Sequence, residues 1–293
     1  MRSKSLANQT AKWIQSLTSV CEGDINHAKR QLVWLKQKVI SDTGRECVLQ
    51  QDIDLLDQYV DQRVREHKPL QYILGTQPFC DLDIVTRPPT LIPRWETEEW
   101  TYKVIDQLKQ HHLDKLKSPL RILDICTGSG CIALALAKHL PKGTVHITGL
   151  DISNKAIALA KENLQVHQHV LLNPVEFVQQ DIFEFNLPQD TFNFIVSNPP
   201  YVTLDEYDSL DPDVKNWEDV GALVAEDQGT RVHQRIIQMT TAISPMLSMP
   251  YLYMEIGGTH QVGLLNEAMR KHGFKGTKVW KDLADKDRVI VGY

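Results

Sequence analysis

Cysteine is scarce and unpaired in this sequence. The five thiols, Cys21, Cys47, Cys80, Cys126 and Cys131, are scattered and include no CxxC pair, which excludes a disulfide framework and the common zinc spacings and suits a reducing compartment. The eleven histidines form no i, i+4 pair with supporting carboxylates. Those nearest to one another, His111 with His112 and His167 with His169, fall in polar stretches that read as surface, so no metal site is expected. Long apolar runs are also missing. The best candidate, Cys131–Ala137, is far short of the roughly 20 residues a bilayer span requires, and no membrane association is expected. Nor is positive charge in excess: 32 Lys and Arg stand against 37 Asp and Glu, a formal net charge of −5. That balance removes the broad phosphate attraction on which most duplex-binding proteins rely, and no direct nucleic-acid binding is expected. No fixed-period repeat or low-complexity tract is present, which excludes solenoids and repeat arrays. Acidic residues are absent from one stretch, the first twenty-one residues, which carry Arg2, Lys4, Lys12 and several Ser and Thr. This bias fits a mitochondrial presequence and equally a slightly basic first helix.

What remains is an ordinary globular composition, with 42% apolar and 24% charged residues in a chain of 293, long enough for one large domain or two unequal ones. Residues 1–68 read as helical. Trp13, Ile14 and Leu17, then Leu32, Val33, Leu35, Val39 and Ile40, then Val48, Ile53, Leu56, Tyr59, Val60 and Val64 recur at three- and four-residue spacings. Residues 69–93 are punctuated by Pro69, Gly75, Pro78, Pro88, Pro89 and Pro93 and read as a β-hairpin linker with short strand pieces at Gln71–Ile73 and Leu82–Val85. Residues 94–293 open with a polar helix over Glu96–Lys117 and then alternate strand and helix. Strands are predicted at Leu120–Ile125, Val145–Asp151, Val175–Gln180, Phe192–Ser197 and Tyr251–Ile256. An antiparallel finish is predicted at Lys278–Lys281 and Val289–Tyr293. The fold class is α/β, a mostly parallel, doubly wound, Rossmann-like sheet.

Ligands of such sheets sit at the carboxyl ends of the strands. The first strand runs into Asp124, Cys126, Thr127, Gly128, Ser129 and Gly130 before the helix Cys131–Leu140, and its two glycines allow positive φ and close backbone approach. Gly128, Gly130 and Ala133 also satisfy a dinucleotide pattern, and Asp151, followed by Ile152, could accept from ribose hydroxyls of either NAD or S-adenosylmethionine. Asp181 is placed to accept from an adenine amino group with Ile182 against the ring; the alternatives are a turn residue and core packing. The motif that discriminates is Asn198-Pro199-Pro200-Tyr201, directly after the fourth strand. An amide or arylamine nitrogen is a poor nucleophile because its lone pair is delocalised. The Asn198 side-chain oxygen and the Pro199 carbonyl can each accept one hydrogen of an NH2 group, aiming the nitrogen at a sulfonium methyl. Pro199 and Pro200 stiffen the loop, and Tyr201 offers a face to a planar group and to a nearby cation.

At these residues the sequence resembles the PrmC/HemK family of release-factor glutamine methyltransferases. The resemblance extends to Pro69–Gly75, Leu91-Ile92-Pro93-Arg94, Met254-Glu255-Ile256-Gly257 with Gln261, Asp282-Leu283-Ala284 and Asp287-Arg288-Val289. It implies a substrate-binding helical bundle and a hairpin ahead of a methyltransferase domain. It further implies S-adenosylmethionine as cofactor and N5-methylation of the glutamine in a release factor's Gly-Gly-Gln loop. Separately, a monomer is expected. Trp95-Glu96 after Arg94, Trp217-Glu218-Asp219 and Asp285 depart from the family's usual residues. The run Arg94–Trp100 is similar to the fungal mitochondrial branch, which with the acid-poor start favours mitochondria over cytoplasm. The alternatives are a nucleic-acid adenine or cytosine amino-methyltransferase, for which no basic recognition segment is present, a dinucleotide oxidoreductase, which leaves Asn198–Tyr201 without a purpose, and a silent protein-binding module.

Overall fold

Helix-forming periodicity at one end of the chain and strand–helix alternation in the rest produce two compact units. One holds the residues up to Thr76 together with Asp211–Trp217, the other Gln77–Leu210 with Glu218–Tyr293. The computed structural model describes residues 6–245 and 248–293; Arg2 and Lys4 of the acid-poor start lie outside them.

In the first unit, α1 (Leu6–Thr18), α2 (Ile25–Thr43) and α3 (Ile53–Val64) bury Trp13, Leu17, Leu32, Leu35, Val39, Leu56 and Val60 in one core, as their spacing requires. Asp24 starts α2 by accepting from the Asn26 and His27 amides, and Gly44 ends it in the left-handed region. The Trp13 indole donates to Asp57 Oδ1 at 2.6 Å. The strand expected at Gln71–Ile73 is instead the short helix α4, Leu70–Leu74. Pro69 presets its first turn, Leu70 and Ile73 are buried on one side at a helical spacing, and Gly75 closes it at φ +89. The segment Asp211–Trp217 joins this unit through an Arg63–Asp213 ion pair of 2.7 Å and a hydrogen bond from the Trp217 indole to the Glu66 carbonyl at 2.9 Å.

The second unit opens with the hairpin β1 (Thr76–Phe79) and β2 (Leu82–Val85), a separate two-stranded sheet. Helix α5 spans Trp95–Gln110, shorter than the expected Glu96–Lys117, because His112 enters the left-handed region and Leu113–Lys115 tightens into a 3₁₀ turn. The main sheet comprises β3 (Leu120–Ile125), β4 (Val145–Asp151), β5 (Val175–Gln179), β6 (Phe194–Ser197), β7 (Leu252–Glu255), β8 (Thr277–Lys281) and β9 (Asp287–Gly292) in the order β5-β4-β3-β6-β7-β9-β8. The first five are mutually parallel and β9 is antiparallel to both its neighbours, the doubly wound sheet and antiparallel finish that the sequence predicts. Side chains alternate between two cores. Ile122, Phe194, Val196 and Tyr253 join α5, α6 (Cys131–His139) and α7 (Asn154–His167) on one face. Leu123, Ile195, Leu252 and Met254 join the helices Arg231–Met239 and Thr259–Lys271 on the other. Strand order reverses between β4 and β6, on either side of β3, the switch point where such sheets open a crevice. The register pairs Ile125 with Leu150 and with Ser197, Ser197 with Met254, and Asp151 with Gln179, so the five loops that follow leave from one edge. Among the described residues no helix is long and apolar enough to cross a membrane.

One buried amide ties several of these pieces together. Asn163 of α7 accepts from the Val85 amide at 2.7 Å and donates to the Val85 and Ser129 carbonyls, each at 3.1 Å. Asn163→Leu keeps the volume but leaves three backbone groups, one of them buried, without their partner. A loss of about 3 kcal/mol in urea-denaturation stability is expected, and an unchanged midpoint would contradict the clamp.

Candidate active site

The turn after β3 is shaped by close approach. Cys126 takes φ +60, Gly128 +55 and Gly130 +81, left-handed conformations in which glycine is the unstrained choice. A Cβ on Gly130 would lie 2.6 Å from the Phe177 ring, whereas one on Gly128 would meet nothing within 4 Å. Gly130 is therefore demanded by packing, and Gly128 by φ beside an open space. Thr127 does not face that space: its hydroxyl donates to Asp124 Oδ2 at 2.6 Å. Asp124 is fully buried, and its Oδ1 and the Ser129 hydroxyl have no hydrogen-bond partner among the described residues. Burial pushes the Asp124 carboxyl up to about 7 against the Thr127 hydrogen bond.

Asp151, ending β4, accepts from the Gly128 amide on Oδ2 and the Ser153 amide on Oδ1, each at 2.9 Å. Burial raises its pKa, and the carboxylate of Asp219 adds to the rise. The next residue, Ile152, is 63% exposed, an apolar surface open beside that carboxylate. Asp181 lies beyond the end of β5, and its Oδ1 accepts from the Phe183 amide at 2.8 Å, the turn role weighed for it. Ile182 is buried in the second core, in a packing role. Two orphaned polar atoms, an open cradle over Gly128, a carboxylate with spare lone pairs and an exposed isoleucine fit a ligand that presents an ammonium, a ribose diol and a flat ring.

Asn198, Pro199, Pro200 and Tyr201 leave the same edge from β6. Asn198 Nδ2 donates to Thr97 Oγ1 at 3.1 Å, and among the described residues nothing donates to its Oδ1. The Thr97 hydroxyl donates in turn to Glu255 Oε2 at 2.6 Å, where the Trp100 indole also donates at 2.8 Å. Tyr201 donates its hydroxyl to Glu255 Oε1 at 3.2 Å. Burial raises the pKa of both Glu255 and Tyr201. The loop backbone is held too: the Tyr201 and Val202 amides donate to the Leu223 carbonyl, and Gln261 Nε2 donates to the Tyr201 carbonyl at 3.0 Å. A Cβ on Gly229 would come 2.1 Å from that carbonyl, so only glycine fits there. Arg94, whose role the sequence leaves open, pairs through Nη2 with both Glu218 oxygens at 2.7 Å, and Glu98 Oε1 accepts from the Cys80 amide at 2.7 Å. His167, read as surface, is buried with Nε2 3.1 Å from the Asp83 carbonyl.

Thr97, Glu218, Glu255 and Gln261 are site residues that the sequence gives no chemical role. The available signal was a charge out of place: Glu255 closes the otherwise apolar run Leu252-Tyr253-Met254, and a carboxylate there needs donors.

Residues 100–210 match the family model described as methyltransferase small domain. A Lactococcus lactis protein named release factor glutamine methyltransferase is 35% identical over 90% of this chain and 89% of its own length. A Saccharomyces cerevisiae protein named mitochondrial MRF1 N(5)-glutamine methyltransferase MTQ1 is 32% identical over 78% of this chain and 71% of its own. Among solved structures, the human Mettl16 catalytic domain, crystallised with an RNA hairpin, superposes with a TM-score of 0.55 at 16% identity, covering 81% of this chain and 79% of that one. This is a likeness of fold.

The raised Asp124 carboxyl has a signed consequence. The folded state holds its proton up to about pH 7, whereas the unfolded chain releases it near the ordinary value for Asp, about 4. The stability it confers is full below about pH 4 and is lost as pH rises through about 7. Asp124→Asn, which never ionises, is expected to gain stability relative to the wild type between pH 5 and pH 8 in thermal melts without ligand, and a constant difference would count against it.

Proposed function

This chain belongs to the release factor glutamine methyltransferase family, and on that footing we propose that it transfers a methyl group from S-adenosylmethionine to N5 of the glutamine in the Gly-Gly-Gln loop of a peptide chain release factor. The observation that carries the proposal is the amide of Asn198, held at Nδ2 by Thr97 with its oxygen left for a substrate, at the same sheet edge as the glycine turn and Asp151.

The cofactor supplies an electrophilic methyl on a sulfonium. The residues of the chain do the rest. Asn198 Oδ1 and the Pro199 carbonyl each accept one N–H of the substrate amide, which fixes both hydrogens and turns the nitrogen lone pair out of conjugation towards the methyl carbon. A bound cofactor would supply the methyl to this nitrogen and leave as a thioether. One N–H proton then passes to water, neither acceptor being basic enough to keep it. Pro199 and Pro200 hold this geometry at little entropic cost, and the Tyr201 ring, pinned at its hydroxyl by Glu255, forms a wall for the planar amide. The Gly128 cradle with Asp124 and Asp151 would hold the cofactor's amino-acid and ribose portions, Ile152 would offer an apolar surface to its base, and the second oxygen of Asp181 could accept from the adenine amine.

The helical unit grips the body of the factor, a role suited to a core of its own separate from the sheet. Mitochondria are the site of action, supported by the mitochondrial name of the yeast relative and the acid-poor start of the chain.

Labelled methyl from S-adenosylmethionine is expected on the loop glutamine of a purified release factor, located by mass spectrometry. Asn198→Ala should cut transfer by about 100-fold, and a factor with Ala for that glutamine should take no label. Label on nucleic acid instead of the factor would overturn the proposal. Deleting residues 1–65 from an otherwise folded protein is expected to weaken binding of the whole factor more than that of a loop peptide, and equal losses would remove the gripping role.

A further inference from the structure

Catalysis by Asn198 as described needs its oxygen, and not its NH2 group, to face the substrate. A side-chain amide is nearly symmetric in shape, so sterics alone cannot choose. The choice is made behind it. The Trp100 indole can only donate, so Glu255 Oε2 is an acceptor at that contact. The same oxygen takes the Thr97 hydroxyl proton at 2.6 Å. With its one proton committed, Thr97 Oγ1 has only lone pairs to offer at 3.1 Å. The Asn198 NH2 must therefore turn to Thr97, and its oxygen turns outward. We propose that Thr97, with Glu255 as its fixed acceptor, is the positioning residue that sets which end of the Asn198 amide meets the substrate. Neither residue touches the reacting atoms; both act through Asn198. The inference rests on the proposed amide methylation but assigns residues that the motif after β6 does not contain.

The design accounts for the choice of side chains. A hydrophobic residue at position 97 would leave the amide free to flip, and part of its population would present donors to a substrate that is itself a donor. Removing the acceptor at position 255 would free the Thr97 proton to point at Asn198 and so favour the wrong face. Trp100 serves as the polarity reference because it lacks an acceptor atom.

The test is steady-state methyl transfer to a release factor by the full chain, with S-adenosylmethionine affinity measured separately. Thr97→Val, close in shape, is expected to lower kcat roughly 10- to 100-fold with cofactor Kd in place. Thr97→Ser, which restores the hydroxyl, should recover most of that loss. If Thr97→Val does not fold, Thr97→Ala against Thr97→Ser reads the same contrast. Glu255→Leu should lose about as much as Thr97→Val. Glu255→Gln should lose far less, since an amide oxygen can still accept from Thr97 and Trp100. On an Asn198→Ala background, Thr97→Val should cost nothing further. Equal effects of Thr97→Ser and Thr97→Val, or losses that add to that of Asn198→Ala, would overturn the positioning role while leaving the enzyme's reaction intact. A wild type that puts no label on the factor would bring down the proposed function first.

Discussion

A carboxylate taken out of water costs several kcal/mol unless donors surround it, and the site is organised around one such group. Glu255 is buried at the end of the interior strand β7 and meets that cost with donors from two distant segments. Thr97 and Trp100 come from the first two turns of α5, and Tyr201 comes from the loop after β6. Arg288 on β9 adds a favourable field. Because each donor must be present for the charge to be tolerated, Glu255 fixes the approach of α5, β6 and β7 to one another. Residues 97, 198 and 255 come together in consequence, although up to 158 positions separate them in the chain.

The other half of the site is constrained by contact. The Phe177 ring from β5 lies where a Cβ on Gly130 or Gly149 would stand, so the turn after β3 and the strand β4 are pressed against it without side chains between. Asn163 then ties the Ser129 carbonyl to α7. A turn held by packing on one side and a buried amide on the other needs little rearrangement when a ligand arrives, and preorganisation of this kind lowers the ordering cost of binding. The left-handed Cys126 stores some strain in the same turn.

Periodicity made most of this fold legible before any coordinates. In the main sheet, strand edges fall within two residues of those read from the sequence, because a buried parallel strand is a short apolar run between turn signals; β1 at Thr76–Phe79 was not read as a strand. The miss at Gln71–Ile73 came from the β-prone pair Tyr72 and Ile73 between the markers Pro69 and Gly75; a single helical turn is too short for periodicity to declare itself. The turn after β3 and the run Asn198–Tyr201 were legible because each is contiguous. Thr97, Glu218 and Gln261 were not, since their roles depend on partners far along the chain and nothing local distinguishes them from a surface hydroxyl, an exposed acid or a helix amide. Asp181 and Ile182 mark another limit, for the same letters serve a turn and a core position as well as an adenine pocket, and the sequence alone does not separate these roles.

The electrostatics of the sheet edge bear on binding. Asp124 and Asp151 lie on adjacent strands, Asp219 is near enough to raise Asp151 further, and the fields of Arg94 and Arg288 reach Tyr201 on the far side. The half of the edge around Asp124 and Asp151 is therefore acidic, whereas in the half that holds Asn198 and Tyr201 the acids Glu218 and Glu255 are matched by Arg94 and Arg288. Acids this close together in apolar surroundings disfavour one another's ionisation, so a cation entering the acidic half would relieve that repulsion and favour the charged carboxylates.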